Sequence, residues 1–212
     1  MTPRAMSSPG PSRERVAQKL RTRQALLNAA RELVAEGMAP TVAQAADAAT
    51  VSRATAYRYF PSQEALLVEL PLDVAAPTVD QLFGHAAAPR DAEDRAALVQ
   101  NALYDLARDH EAEFRLFLRS SLLRSLDADG SADPFRGARR SVLLDAALAP
   151  LAGELAPGEL EQLATALSML VGIEPLIVLR DVMGLDHERA RAAGERTVRE
   201  LVRAARAHSA AV

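Results

Sequence analysis

Apolar residues recur every three or four positions along most of this chain, and nowhere do they alternate in twos. That spacing is helical, whereas a half-buried strand would need a period of two. The first pattern runs from about residue 13 to 36, where Leu20, Leu26, Leu27, Ala30, Leu33 and Val34 form one stripe. Gly37 follows, at a place where a helix end commonly needs positive φ. Three short segments come next. Thr41, with Gln44 three residues later, is a capping-box start for residues 42–49. Ser52 opens a segment ending near Phe60, Ser62 opens another ending near Leu70, and Pro71 is expected to close the block. Beyond it the spacing predicts helices over 72–87 (interrupted by Pro77), 91–109, 111–127, 134–152, 158–184 and 187–208. Their start signals are Asp91, Asp133 before Pro134, Pro157 and Asp186. The expected fold is all-α. Residues 1–12, rich in Pro, Ser and Gly, read as a disordered tail. A small helical unit is expected over 13–70 and a larger helical domain over 71–212.

Charge changes this picture. The formal net charge is −3, but residues 1–60 hold nine Arg or Lys against four Asp or Glu, a net of +5, and the remainder carries −8. A polyanion therefore meets an attractive surface at one end only. The single Lys, Lys19, stands against 24 Arg, a bias of composition more than of mechanism. Cysteine is absent, which excludes disulfides, thiolate nucleophiles and Cys-based zinc sites. No apolar run approaches the roughly 20 residues of a membrane span, and the N-terminal stretch lacks a signal-peptide core. A cytoplasmic protein without membrane partners is expected.

The chemistry concentrates in residues 41–67, TVAQAADAATVSRATAYRYFPSQEALL. This is an alanine-rich helix, a turn around residues 49–52, and a second short helix with an unusual surface. That second helix displays Ser52, Arg53, Thr55, Tyr57, Arg58 and Tyr59, with no carboxylate among them. A solvated helix normally mixes charge signs. Hydroxyls, guanidinium groups and flat rings alone suit phosphates and base edges. Ala56 and Phe60, four apart, are expected to face inward against Leu26, Leu33 and Val42. Ala45, Ala46 and Ala49 let the first helix come close beneath, so a recognition helix on a three-helix platform is expected. Tyr57 has an alternative place, in the core of the small unit.

Here the sequence resembles the TetR family of transcriptional repressors. The segment Thr55-Ala56-Tyr57-Arg58-Tyr59-Phe60-Pro61-Ser62-Gln63-Glu64-Ala65-Leu66 is similar to that family's signature, and the resemblance covers residues 21–67. Two positions depart from it. Thr50 stands where the family has Gly in the turn, so a strained turn is expected if φ is positive there. Gln63 stands where the family often has Lys, which would make a phosphate contact neutral and less salt-dependent. The resemblance implies that Thr41, Ser52, Tyr57, Arg58, Tyr59 and Gln63 contact the duplex. It also implies that Arg53 and Thr55 read base edges. Arg21 and Arg23 are further candidates for backbone contacts.

The resemblance also implies a homodimer on a palindromic double-stranded operator, with a small hydrophobic or amphipathic effector and no cofactor. The last two helices are similar to the family's dimerising pair, which places Leu167, Leu170, Val171, Ile177, Val178, Thr197 and Leu201 at an interface. In the last helix the expected stripe is Ala190, Ala193, Thr197, Leu201 and Ala204. Candidate pocket residues are Tyr104, His110, Phe114, Phe117, Leu118, Leu148, Met169, Ile173 and Glu174, with Leu103, Leu122 and Leu144 as further walls. Glu174, beside a Pro175 expected to kink the long helix, greets a cationic ligand or an arginine of the dimer mate, or is a paired or rim-exposed carboxylate. Two rival readings stand beside the sensor. A dimeric DNA binder without ligand sensing fits the same residues. An enzyme does not: His85, His110, His187 and His208 have no metal-ligand spacing, and no phosphate-binding glycine loop or nucleophile elbow occurs.

Overall fold

The computed structural model describes residues 11–73, 76–127 and 138–210, and among them every regular element is helical. The helices are α1 (Pro11–Ala35), α2 (Val42–Ala48), α3 (Arg53–Tyr59), α4 (Gln63–Asp73), α5 (Val79–Phe83), α6 (Ala92–Asp109), α7 (Glu111–Asp127), α8 (Ala138–Leu148), α9 (Pro157–Ser168), α10 (Ile173–Ile177) and α11 (His187–Ser209). The expected tail falls mostly outside the described residues, as do Asp133 and Pro134; α1 begins at Pro11, two residues before the predicted start.

Local signals place the starts. The Thr41 hydroxyl accepts the Gln44 N–H while the Gln44 side chain accepts the Thr41 N–H, which closes the capping box of α2. Ser52 accepts from Thr55 N–H at α3, Asp91 from Glu93 N–H at α6, and Asp186 from Arg189 N–H at α11. Each pairing satisfies an N–H that a helix start leaves without a partner.

Proline and glycine govern where the pattern and the fold part company. Pro71 lies inside α4 and two residues from its end, so the missing N–H removes a bond only from the last turn. The helix expected over 72–87 shrinks to α5, because Thr78 caps a new start after Pro77 and Gly84 ends it. Over 149–153 the predicted 134–152 helix tightens into a 3₁₀ turn around Pro150. The single helix expected over 158–184 is two segments bent by 47°. Gly172, at φ 104° and ψ −158°, makes the break; that conformation belongs to glycine. Pro175 is the third residue of α10, in the first turn where a backbone N–H would have no partner within the helix, so its lack of one costs nothing and it does not kink the helix. A π-helical turn, Val178–Val182, follows α10.

Two main cores form. Leu26, Leu27, Ala30, Val34, Val42, Ala45, Ala46, Ala56, Phe60, Leu66 and Leu70 pack α1 to α4 together. Leu20 does not join them and is 62% exposed, because this early part of α1 precedes the turns that α2 to α4 cover. The larger core draws on α6, α8, α9 and α11, including Val99, Leu144, Leu148, Leu163, Leu167, Val171, Val198 and Val202. Between the two, Leu116 of α7 packs against the N-terminal core, and Arg31 Nε donates to Glu113 Oε2 at 3.3 Å.

Helix α11 lies along α6 through a seam of Ala190, Gly194, Val198 and Val202, four residues apart. The predicted 3.5-residue stripe is therefore rotated: Thr197 and Ala204 are exposed and Leu201 half-buried. The i,i+4 ridge wins because Gly194 lets α11 close onto the buried Gln100. Flanking the seam, Arg191 pairs with Asp105, Arg199 with Asp94, Arg203 with Glu93, and Arg206 with both Asp91 and Glu154. The hydrogen bond from Arg206 holds the Asp91 carboxyl below the usual range. No single helix among the described residues is long and apolar enough to cross a membrane.

Candidate nucleic-acid interface

The turn between α2 and α3 sets the direction of the exposed ridge. Thr50 N–H donates to Asp47 O and Val51 N–H to Ala46 O, at 3.2 and 2.9 Å. These bonds close the turn with Thr50 at φ 55°, the one non-glycine residue with positive φ among the described residues. Val51 tucks against the N-terminal core, and α3 then crosses the small-residue face of α2. Ala56 and Phe60, 0% and 2% exposed, fix the inward side of α3. Arg53, Ala54, Tyr57 and Arg58 are exposed, forming two i,i+4 rows on the outward side.

The two tyrosines differ. Tyr57 is 48% exposed, so its alternative place in the core is not taken. Tyr59 is half-buried against that core, with the Arg58 guanidinium 5.9 Å from its ring centroid. No carboxylate pairs with Arg58 among the described residues. Arg53 has one: its Nε donates to Asp47 Oδ1 at 3.1 Å and its Nη2 to Asp47 Oδ2 at 2.6 Å. The hydrogen bond from Arg53 lowers the pKa of Asp47, and the same bond raises that of Arg53.

The hydroxyls beside the ridge are engaged as caps. Ser52 Oγ donates to Thr55 Oγ1 at 2.8 Å, and Thr41 Oγ1 donates to Gln44 Oε1 at 3.0 Å. Gln63 Nε2 donates to Ala39 O at 2.8 Å, which joins the start of α4 to the loop before α2. Arg23, a candidate for backbone contacts, pairs with Glu69 and stacks over Phe60, so it ties α1 to α4. Arg21 is exposed and bonded to Gln18. The sequence reading missed two residues here. Ala54, with no atoms beyond Cβ, lets the ridge approach a partner closely. Asp47 lies outside the carboxylate-free 52–60 segment, and only the crossing of α2 and α3 brings it to Arg53.

The expected pocket residues lie in several places. Tyr104 is 2% exposed and its hydroxyl lies 3.1 Å from His187 Nδ1, a satisfied core tyrosine. Ile173 is buried in the same small cluster, with Phe114 and Leu118 against it. Phe117 is buried, but Leu148 belongs to the larger core. His110 Nδ1 sits 3.2 Å from Glu113 Oε1. Met169 is 68% exposed, next to the end of α9. Leu122 is likewise on the surface. Glu174 accepts from Arg140 at 2.9 Å, the paired-carboxylate alternative. An open groove of about 510 Å³ lies between α8 and α9, where the expected Leu148 and Leu144 line it together with Leu160 and Ala164, with Asp145 and Glu161 among its polar residues.

Of the expected interface residues, Leu167 and Val171 are 0% and 1% exposed, so their side chains are spent on their own core. Leu170 and Ile177 are half-buried, whereas Val178 is 51% exposed. A comparison with protein-family models matches residues 26–70 to the family described as bacterial regulatory proteins, tetR family. That span begins at the fully buried Leu26 of α1 and ends at the fully buried Leu70 of α4. A search of curated proteins found no match.

Proposed function

We propose, for a chain that is a TetR-type DNA-binding transcriptional regulator, that it acts as a repressor: a cytoplasmic homodimer sits on a palindromic operator and leaves it when an effector binds. The observation that carries the DNA part is the outward face of α3, where Arg53, Tyr57 and Arg58 stand exposed with no carboxylate in the helix. One such helix is seven residues long and spans too few base pairs to select a site. A two-fold pair reads two half-sites one helical turn apart, and discrimination multiplies. In this reading Arg53 and Thr55 meet base edges, while Tyr57, Arg58 and Tyr59 meet phosphates and thymine methyls. Thr41, Ser52 and Gln63 flank them at the backbone. The role is one of binding, not catalysis.

The partner copy is proposed to cover Val178, Thr197 and Leu201, with Leu170 and Ile177 at the edge. Release follows if an effector favours dimer arrangements whose α3 helices no longer match successive major grooves. A second reading, a dimeric DNA binder without ligand sensing, is favoured by one observation. Tyr104 and Ile173 are packed in core contacts, and the Tyr104 hydroxyl already has His187 as partner.

Footprinting the purified full-length protein on the DNA flanking its own coding region, with its mass measured in solution, tests this. A protected palindrome and a dimer are expected. A strict monomer that ignores every duplex at low salt would overturn the proposal. Release by compounds from a chemically diverse panel separates the sensor from the second reading.

A further inference from the structure

The pairing of Arg53 with Asp47 leaves one part of the guanidinium unused. A guanidinium carries five N–H groups in one plane. Asp47 takes the side of the fork, through Nε and Nη2. The end of the fork, one N–H each from Nη1 and Nη2, remains. That end is the right width for the O6 and N7 acceptors of guanine in a major groove. Resting on the reading of α3 as a duplex-binding helix, we propose that Asp47 is a specificity-determining positioning residue that grips Arg53 from the side and aims its free end at a guanine.

Three observations support the assignment. Asp47 is the sole carboxylate in α2 and α3, so no other acid on these helices competes for Arg53. The hydroxyls nearest by sequence, Ser52 and Thr55, are bonded to each other and do not draw the guanidinium aside. Asp47 itself comes from the rigid layer beneath: Ala45 and Ala46, its neighbours on α2, are fully buried.

The pair does little for the free protein. Both side chains are more than half exposed, at 64% and 55%, and water screens such a contact. Docking changes the balance, because water leaves and the attraction strengthens. A carboxylate brought to a polyanion also opposes binding wherever Arg53 finds no guanine. Asp47 therefore trades general affinity for discrimination, which is how a repulsive element builds specificity.

The test uses the full-length protein. A pool of randomised duplexes is first selected with the wild type to find the preferred site. Affinities are then measured for that duplex, for one with the selected guanine pair replaced by an adenine pair, and for an unrelated duplex. The proteins compared are wild type, Asp47→Asn, Arg53→Ala and the double variant. Asp47→Asn is expected to lower guanine discrimination by about tenfold and to tighten the unrelated duplex a few-fold. It should remove no further discrimination once Arg53 is Ala, the signature of coupled residues. Uniform tightening on all three duplexes would mean that Asp47 is merely a latch or a charge, and overturns the proposal. So does unchanged discrimination, a loss of equal size with and without Arg53, or a selected site without guanine. A wild type that binds no duplex sinks the DNA reading itself, a different result from any of these.

Discussion

Two arginine-bearing helices of this protein behave in opposite ways. On α11, Arg191, Arg199 and Arg203 each face an acid of α6, and Arg206 faces Asp91, the N-cap of α6, and Glu154. On α3, Arg58 faces none and Arg53 faces a single carboxylate that occupies half its fork. Residue type alone separates neither. What separates them is whether the neighbouring element supplies acids at matching spacing. α6 and its N-cap do so with Asp91, Glu93, Asp94 and Asp105; α2 supplies only Asp47. An arginine row matched by acids fastens one helix to another. An unmatched row keeps its hydrogen-bonding capacity for a partner outside the chain.

The largest effect tests this contrast directly. Replacing Arg53 and Arg58 together by Ala is expected to weaken duplex binding by about a hundredfold or more at moderate salt. The melting temperature should stay put, since neither guanidinium holds the core. Arg199→Ala should do the reverse: it breaks contacts with Asp94 and Glu195, costs about 1 kcal/mol of stability and leaves affinity intact. Calorimetry and gel shifts on the same preparations read both. If the α3 pair melts the protein, or Arg199→Ala abolishes binding, the division between fastening and reading arginines is wrong.

A smaller effect probes what lets the acids of α6 reach α11 at all. A Cβ on Gly194 would lie 2.3 Å from Gln100 Nε2 and 3.0 Å from its Cδ. Gln100 is 2% exposed, so it has no solvent into which to swing. Gly194→Ala is therefore expected to push the helices apart and cost about 1–3 kcal/mol. For a chain of this length each 1 kcal/mol lowers the melting temperature by about 2–4 °C. An unchanged melting curve would show that the seam tolerates the extra methyl and that the salt-bridge ladder, not Gly194, sets the spacing.

How much was legible in advance follows the range of the forces. Caps at Thr41, Ser52, Asp91 and Asp186 involve residues two or three apart, and the sequence displays both partners. Ala56 and Phe60 were legible as the inward side of α3 because one stripe decides them. Leu167 and Val171 were not legible as core, because an apolar stripe names a buried face without naming what covers it. The break at Gly172 hid behind Pro175, since a proline announces itself and a glycine acts only through the φ it adopts. Asp47 escaped for a related reason: its contact with Arg53 needs the turn that crosses α2 with α3.

That turn gives the smallest and most pointed prediction. Gly37, Gly172 and Gly184 are the other described positions with positive φ, and there the chain spends glycine. In the DNA-binding unit it holds Thr50 at φ 55° instead. A left-handed conformation costs a residue with Cβ about 1–2 kcal/mol, and a β-branched side chain is among the least suited to it. Glycine removes that cost but gives back about 0.4–1 kcal/mol through the freedom of the unfolded chain. Thr50→Gly should therefore stabilise the protein by roughly 0.5–1 kcal/mol. The backbone bonds from Thr50 to Asp47 and from Val51 to Ala46 need no side chain, so the turn keeps its course. The ridge of α3 should stay aimed, with duplex affinity unchanged within about twofold. A lower melting temperature would mean that the threonine side chain returns more than its strain costs. A large loss of affinity at higher stability would show instead that stiffness at residue 50, absent from the glycine turns elsewhere, keeps Arg53 and Asp47 in register.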